Sequence, residues 1–168
     1  LHATLNKDAR ESILLILPSD HLIEDTNGFH SSINKAINSA KEGKLVTLGV
    51  TPTGPSSDYG YIKKGNPFNL NCHEVEKFIE KTETRLAENF LQQGGYLWNS
   101  GMFIFRADVL QKELSIFSND ITSSGNKAYE SAGYKNNFIE LESHSFSKSP
   151  DISIDHALME KTKNALVA

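Results

Sequence analysis

Ile13-Leu14-Leu15-Ile16-Leu17-Pro18-Ser19-Asp20-His21 is the stretch whose reading decides the fold. Five apolar residues run together and stop at Pro18. A short apolar run bounded by a turn signal reads as a strand buried on both faces, here over residues 12–17. Three polar residues, Ser19, Asp20 and His21, follow at its end. In open α/β sheets, ligands bind in the crevice beyond the carboxyl ends of the strands. A carboxylate there is positioned to hold a metal ion or a substrate hydroxyl. The same Ser19 or Asp20 would equally serve to cap the next helix, and this stretch alone leaves both readings open.

Working outward, Phe29, Ile33, Ala36, Ile37 and Ala40 recur at the spacing of one apolar helix face. Asp25 or Thr26 can cap that helix, and Gly43 marks its end. Leu45–Val50 (LVTLGV) reads as a second strand. Strand, helix and strand in this order predict a right-handed crossover with parallel strands. The residues from Thr51 to Asp58 form a loop, and Tyr59–Lys64 is expected as a short strand before a turn at Asn66-Pro67. Glu74–Lys81 (EVEKFIEK) reads as a strand and Thr84–Gln93 as a helix ended by Gly94-Gly95. Met102–Arg106 is a strand by composition, and residues 108–115 a short helix. Residues 120–133 carry a weak helical pattern, and 143–150 read as a loop. Ser153–Lys161 predicts a capped helix with Ile154, Ala157 and Leu158 inward, and 164–168 the start of a strand. Towards the N-terminus, Leu1–Arg10 reads as the tail of a helix. With Leu rather than Met first, the chain is expected to begin part-way through a larger protein.

The 168 residues suffice for a single domain, 1–168, with a real core. With 38% hydrophobic and 23% charged residues, the composition is that of a globular protein. The formal charge of −4 argues against a broad nucleic-acid surface. No stretch approaches the roughly 20 apolar residues of a membrane span, and no signal peptide is visible. The single cysteine, Cys72, fits a reducing, cytoplasmic compartment and reads as a half-buried strand residue rather than a nucleophile.

Several blocks, taken in order, resemble the bacterial mannose-1-phosphate guanylyltransferases. They are Leu17-Pro18-Ser19-Asp20-His21, residues 46–65 (VTLGVTPTGPSSDYGYIKKG), residues 75–81 (VEKFIEK), residues 96–107 (YLWNSGMFIFRA) and residues 153–162 (SIDHALMEKT). The resemblance implies an α/β protein with the Rossmann-like α/β/α nucleotide-diphospho-sugar transferase fold, here N-terminally truncated. It implies reaction of GTP with mannose 1-phosphate, giving GDP-mannose and pyrophosphate. The sugar phosphate oxygen attacks the α-phosphorus and pyrophosphate leaves in line. Such chemistry needs positioning and charge neutralisation more than covalent help. Mg2+, a hard ion bound by one or two carboxylates plus phosphates, is the implied cofactor.

The resemblance also implies roles. Asp20, Lys81 and Asp155 would be catalytic, with Asp20 and Asp155 gripping the metal from separate loops. Asp155 would equally suit the first turn of a helix on dipole grounds. Glu80 would hydrogen-bond sugar hydroxyls and Lys81 would reach the sugar phosphate. Thr82 stands where the family has a proline, which loosens that turn. Asn99 would offer its amide donors and acceptor to mannose, and Gly60 would let the backbone approach the sugar. Trp98 reads as core, and His21 and His156 as supports for the neighbouring aspartates.

The family's glycine-rich loop, which wraps the triphosphate, has no match here. The chain is therefore expected to hold the sugar half and the metal carboxylates, and to be inactive or nearly so alone. Without the preceding strand, Ile13–Leu17 would present an open edge, so a homo-oligomer through that edge is expected. A transferase for another hexose 1-phosphate, or a non-catalytic interaction module of the same fold, are the competing readings.

Overall fold

The computed structural model describes residues 10–136 and 138–168. The expected N-terminal helix tail lies outside them, apart from Arg10. In chain order the elements are β1 (Ile13–Ile16), α1 (Thr26–Lys41), β2 (Leu45–Val50), β3 (Tyr61–Pro67), β4 (His73–Ile79), α2 (Thr84–Gln93) and β5 (Tyr96–Arg106). Then come α3 (Ala107–Phe117), α4 (Asn119–Glu130), β6 (Gly133–Lys135), β7 (Phe138–Glu140), α5 (Ser143–Phe146), a π-helix (Asp155–Met159) and β8 (Ala165–Val167).

Six strands form one mixed sheet in the order β1-β5-β2-β8-β4-β3, and β3 also pairs with the start of β5. β5 is the spine of that sheet. Successive residues of a strand point to opposite faces, and β5 is apolar on both. Phe103 and Phe105 face a core shared with Leu45, Val167, Leu110, Leu114 and Leu158. Met102 and Ile104 face the other core, with Val46, Leu48 and Leu166 against Ile33, Ala36 and Ala40 of α1. Helices therefore cover both faces, as the α/β/α expectation requires. A third, smaller cluster sets Ala87 and Phe90 of α2 against Tyr61, with Phe90 stacked on Tyr96.

Local patterns set α1 and α2. Asp25 accepts a hydrogen bond from Gly28 N–H and caps α1, and Gly43 at φ +84° ends it. Asp20 is thus not the cap. The Ile13–Leu17 run is not buried on both faces. Leu15, Ile16 and Leu17 are 40%, 43% and 44% exposed, because β1 lies at the sheet edge and pairs only with β5 among the described residues. Nor do β1 and β2 adjoin. They run the same way, but β5 lies between them, antiparallel to both.

Other boundaries move for identifiable reasons. β5 begins at Tyr96, not Met102, because Trp98 and Asn99 pair with β2 while Tyr96–Trp98 pair with β3. β3 runs on to Pro67, which sits opposite His73 beyond a register shift. Residues 165–167 are a central strand between β2 and β4. The 143–150 loop contains α5, whose first N–H groups are capped by the Glu142 carboxylate. Cys72 is fully buried in the turn before β4, where its N–H donates to Asn69 Oδ1 and its sulfur accepts from Ser39 Oγ. Burial pushes that thiol's pKa up, away from reactivity. Among the described residues, no helix is long and apolar enough to cross a membrane.

Phe105 is fully buried near the end of β5, in the core shared with Leu45 and Leu158. Phe105→Ala should lower unfolding free energy by about 3–5 kcal/mol, read as a lower urea midpoint at unchanged slope. The Glu142 carboxyl is held down from its ordinary 4.5 to about 2 by the Ser145 hydroxyl and the N–H groups of Ser145 and His144. A depressed carboxylate stabilises the folded state above its unfolded pKa and stops doing so as pH falls through the folded one. Glu142→Gln should therefore lower the melting temperature at pH 6, and the difference from wild type should shrink between pH 4.5 and pH 2.

Candidate functional site

The cleft forms where β5 outruns its partners. Along one edge of β5, β1 pairs with residues 103–106 and β3 with residues 96–98. Asn99 N–H still reaches Gly60 O at 2.8 Å, but residues 100–102 have neither strand beside them. Pro18 turns the chain out of β1 here, since it has no N–H to continue a ladder. Its Cγ lies 3.4 Å from where a Cβ on Gly101 would stand, and Gly101 has φ +69°. On the other edge the β2 register shifts between Thr47 and Gly49. Side chains repair the break: Thr47 Oγ1 donates to Met102 O at 3.2 Å and Ser100 Oγ to Leu48 O at 2.6 Å.

The resulting open cleft has a volume of about 620 Å³. Asp20, Gly60, Glu80, Asn99 and Asp155 all line it, with His21, Tyr59 and Trp98. Asp20 arrives from the loop after β1, Glu80 from the end of β4, Asn99 from β5 and Asp155 from the start of the π-helix. Lys81 is exposed and does not line the cleft. Of the residues given catalytic or substrate-binding roles from sequence, it is the one not brought into the wall.

Asn99 is already engaged by the protein. Its Oδ1 accepts from Gly101 N–H at 3.1 Å and lies 3.3 Å from Thr47 Oγ1. Its Nδ2 donates to Asp155 Oδ1 at 3.0 Å. The amide thus orients Asp155 rather than standing with all its hydrogen-bonding capacity open to a ligand. At Gly60, a Cβ would sit 2.9 Å from Glu80 Oε2, 3.2 Å from Ile79 O and 3.3 Å from Asn99 Cβ. Only glycine fits without displacing that Glu80 carboxylate.

Both carboxylates beside Asn99 are raised above their usual range. Burial is the first cause for Glu80, and the Asp155 charge adds to it. Burial also raises Asp155, with the Asn99 hydrogen bond opposing. Glu80 Oε2 is buried without a hydrogen-bond partner. Desolvated like charges of this kind are relieved by a cation or by donors from a ligand. Among the described residues, no group of three or more His, Cys, Asp or Glu side chains is arranged to hold a metal ion. The carboxylates of Asp20 and Asp155 on one cleft suit a hard ion that completes its shell with phosphate and water oxygens.

Sequence reasoning did not single out Thr47, Tyr59 or Glu160. Glu160 carries the clearest missed signal, its i,i+4 spacing from His156 on a helical stretch. The two side chains meet at 2.9 Å, outside the cleft wall. His156 is raised chiefly by this contact. Glu160 is raised by burial but brought below its usual value by His156 and the Glu80 N–H. Trp98 lies between core and cleft: it packs against the third cluster and, with Tyr59 at 4.8 Å, lines the wall.

Known proteins share both the sequence and the fold of this chain. The xanthan biosynthesis protein XanB of Xanthomonas campestris is 42% identical over 167 residues, covering 99% of this chain and 35% of that protein. A mannose-1-phosphate guanylyltransferase of Sinorhizobium fredii is 43% identical over 157 residues, 94% of this chain and 31% of its own length. The chain thus spans about a third of the length of these relatives. Among solved structures, a mannose-6-phosphate isomerase from Helicobacter pylori superimposes with TM-score 0.84 at 36% identity, over 95% of this chain and 62% of that one. A mannose-1-phosphate geranyltransferase from Thermus thermophilus does so with TM-score 0.83 at 28% identity, over 98% and 46%. The nucleotidyl transferase family matches residues 1–142, and with the same fold across nearly the whole chain, this protein belongs to that family.

Proposed function

We propose that this chain forms the sugar-phosphate-binding part of a mannose-1-phosphate guanylyltransferase, which joins GTP and mannose 1-phosphate to give GDP-mannose and pyrophosphate for polysaccharide assembly. The observation that carries the reading is the meeting of Asp20, Gly60, Glu80, Asn99 and Asp155 on one cleft from five separate segments. The named relatives support the sugar and the nucleotide.

In this reading the Gly60 backbone and the Glu80 carboxylate receive the hexose. Glu80 Oε2, buried and unpartnered, accepts from a sugar hydroxyl. Asn99 holds Asp155 in place by its 3.0 Å hydrogen bond. Asp155 and Asp20 would hold Mg2+, which when bound neutralises phosphate charge during attack of the sugar phosphate oxygen on the α-phosphorus. Lys81 reaches the sugar phosphate only by swinging in from its exposed position, and Thr82 leaves it that freedom. The triphosphate's own glycine-rich loop has no counterpart in this sequence, so the isolated chain should turn over little or nothing. A cytoplasmic setting belongs to the proposal, because both charged substrates cross membranes only with carriers.

Titration calorimetry with mannose 1-phosphate should show binding that strengthens with Mg2+. Asn99→Ala should weaken it about tenfold or more, as expected when a hydrogen bond to a charged group is lost. Equal binding of glucose 1-phosphate would favour another hexose 1-phosphate. No binding by the folded chain would favour an interaction module, a reading that the position of Lys81 outside the cleft also supports.

The same proposal includes a homo-oligomer through β1, supported by its half-exposed Leu15 and Ile16, by Leu17 just beyond them, and by its open edge among the described residues. Light scattering should give a mass above that of one chain, falling to the monomer value in Ile16→Lys. A wild-type monomer at high concentration would refute it.

A further inference from the structure

Glu160 stands outside the cleft wall, yet it touches both segments that carry the buried carboxylates. Its Oε1 accepts the Glu80 N–H at 3.0 Å, across 80 residues of chain. Its own N–H donates to Asp155 O at 3.0 Å, the bond that closes the π-helix begun by Asp155. Its Oε2 is held 2.9 Å from His156 Nδ1.

The end of β4 needs such a hold. The strand ladder stops at Ile79, so Glu80 N–H lies beyond it. Thr82 does not lock φ as a proline would, and its hydroxyl is buried without a partner. Glu80 and Asp155 are both desolvated, and their like charges favour separation and return to water. A loose strand end would let Glu80 leave. π-helices, rare in general, are found mostly at functional positions, and here the closing residue of one grips the neighbouring strand.

We infer that Glu160 is a positioning residue whose carboxylate clamps the Glu80 backbone to the π-helix carrying Asp155 and so fixes the two carboxylates on one sugar-phosphate site. The inference rests on the reading of the cleft proposed above. The His156–Glu160 pair steadies the clamp and does not itself face the cleft.

Three variants test it on the whole chain. Glu160→Ala removes the acceptor, Glu160→Gln keeps an oxygen for the Glu80 N–H, and Glu160→Asp shortens the reach without emptying the site. Two readouts are used: amide hydrogen exchange at Glu80, and calorimetric titration of mannose 1-phosphate with Mg2+. Exchange at Glu80 should quicken roughly tenfold in the Ala and Asp variants and stay close to wild type in the Gln variant, the scale of one hydrogen bond. Affinity should fall by a similar factor in the first two and recover in Gln. Should the Ala variant fail to fold, Asp and Gln carry the comparison. Unchanged exchange in Glu160→Asp would overturn the clamp. Faster exchange with unchanged affinity would reduce Glu160 to a structural contact, and so overturn positioning. A Gln variant as weak as Ala would do the same. If the folded wild-type chain binds no sugar phosphate, the reading of the cleft falls and this inference with it. If all variants bind as wild type does, this inference alone falls.

Discussion

The interrupted edge of β5 is the constraint from which the cleft follows. A strand of 11 residues has two edges to satisfy, and a buried backbone group left unpaired costs free energy comparable to a lost hydrogen bond. One edge is covered by β2, though out of register in the middle. The other is shared by β1 and β3 with a gap between them. Thr47, Ser100 and Asn99 supply side-chain hydrogen bonds at the break. Those bonds keep a short irregular segment rigid inside a sheet whose flanking residues are close-packed. The cleft is therefore part of the sheet's construction, and its floor cannot move without disturbing the core on both faces.

Asn99 shows how packing and chemistry meet. The amide that repairs the backbone at Gly101 also aims Asp155. An Asp in its place would satisfy Gly101 but repel Asp155, and a Ser would not reach. Asp155 is then held close enough for its charge to raise Glu80. Folding places acceptors where water is scarce, a demand that a cation or a ligand's hydrogen-bond donors would meet. Membership of the nucleotidyl transferase family agrees with that demand, since phosphoryl transfer depends on positioning and charge balance.

Elements with a strong local pattern were legible in the sequence. Leu45–Val50 and Thr84–Gln93 have the ends their residues announce, and Asp25 and Gly43 bracket α1 as expected. Sheet order was not legible, because β5 enters between β1 and β2 from far along the chain. The apolar run at Ile13–Leu17 misleads for the same reason: an edge strand and a central strand can share a composition, and only the pairing tells them apart. In the site, the blocks of family resemblance named the residues that line the cleft. They did not foretell that Lys81 stands outside it, or that Asn99 already holds Gly101 and Asp155. Neither the Asn99–Asp155 nor the Glu80–Glu160 hydrogen bond has a sequence signal, since each joins residues more than 50 positions apart.

Trp98 has a consequence of another kind. It is the only tryptophan in the chain, it lines the cleft, and the Tyr59 ring leans on it at a 51° tilt. Indole emission responds to nearby charge, water and ring contacts. The molecule therefore carries an intrinsic optical gauge at its cleft, uncontaminated by a second indole elsewhere. A change in emission on adding a small molecule can be ascribed to this one side chain without labelling.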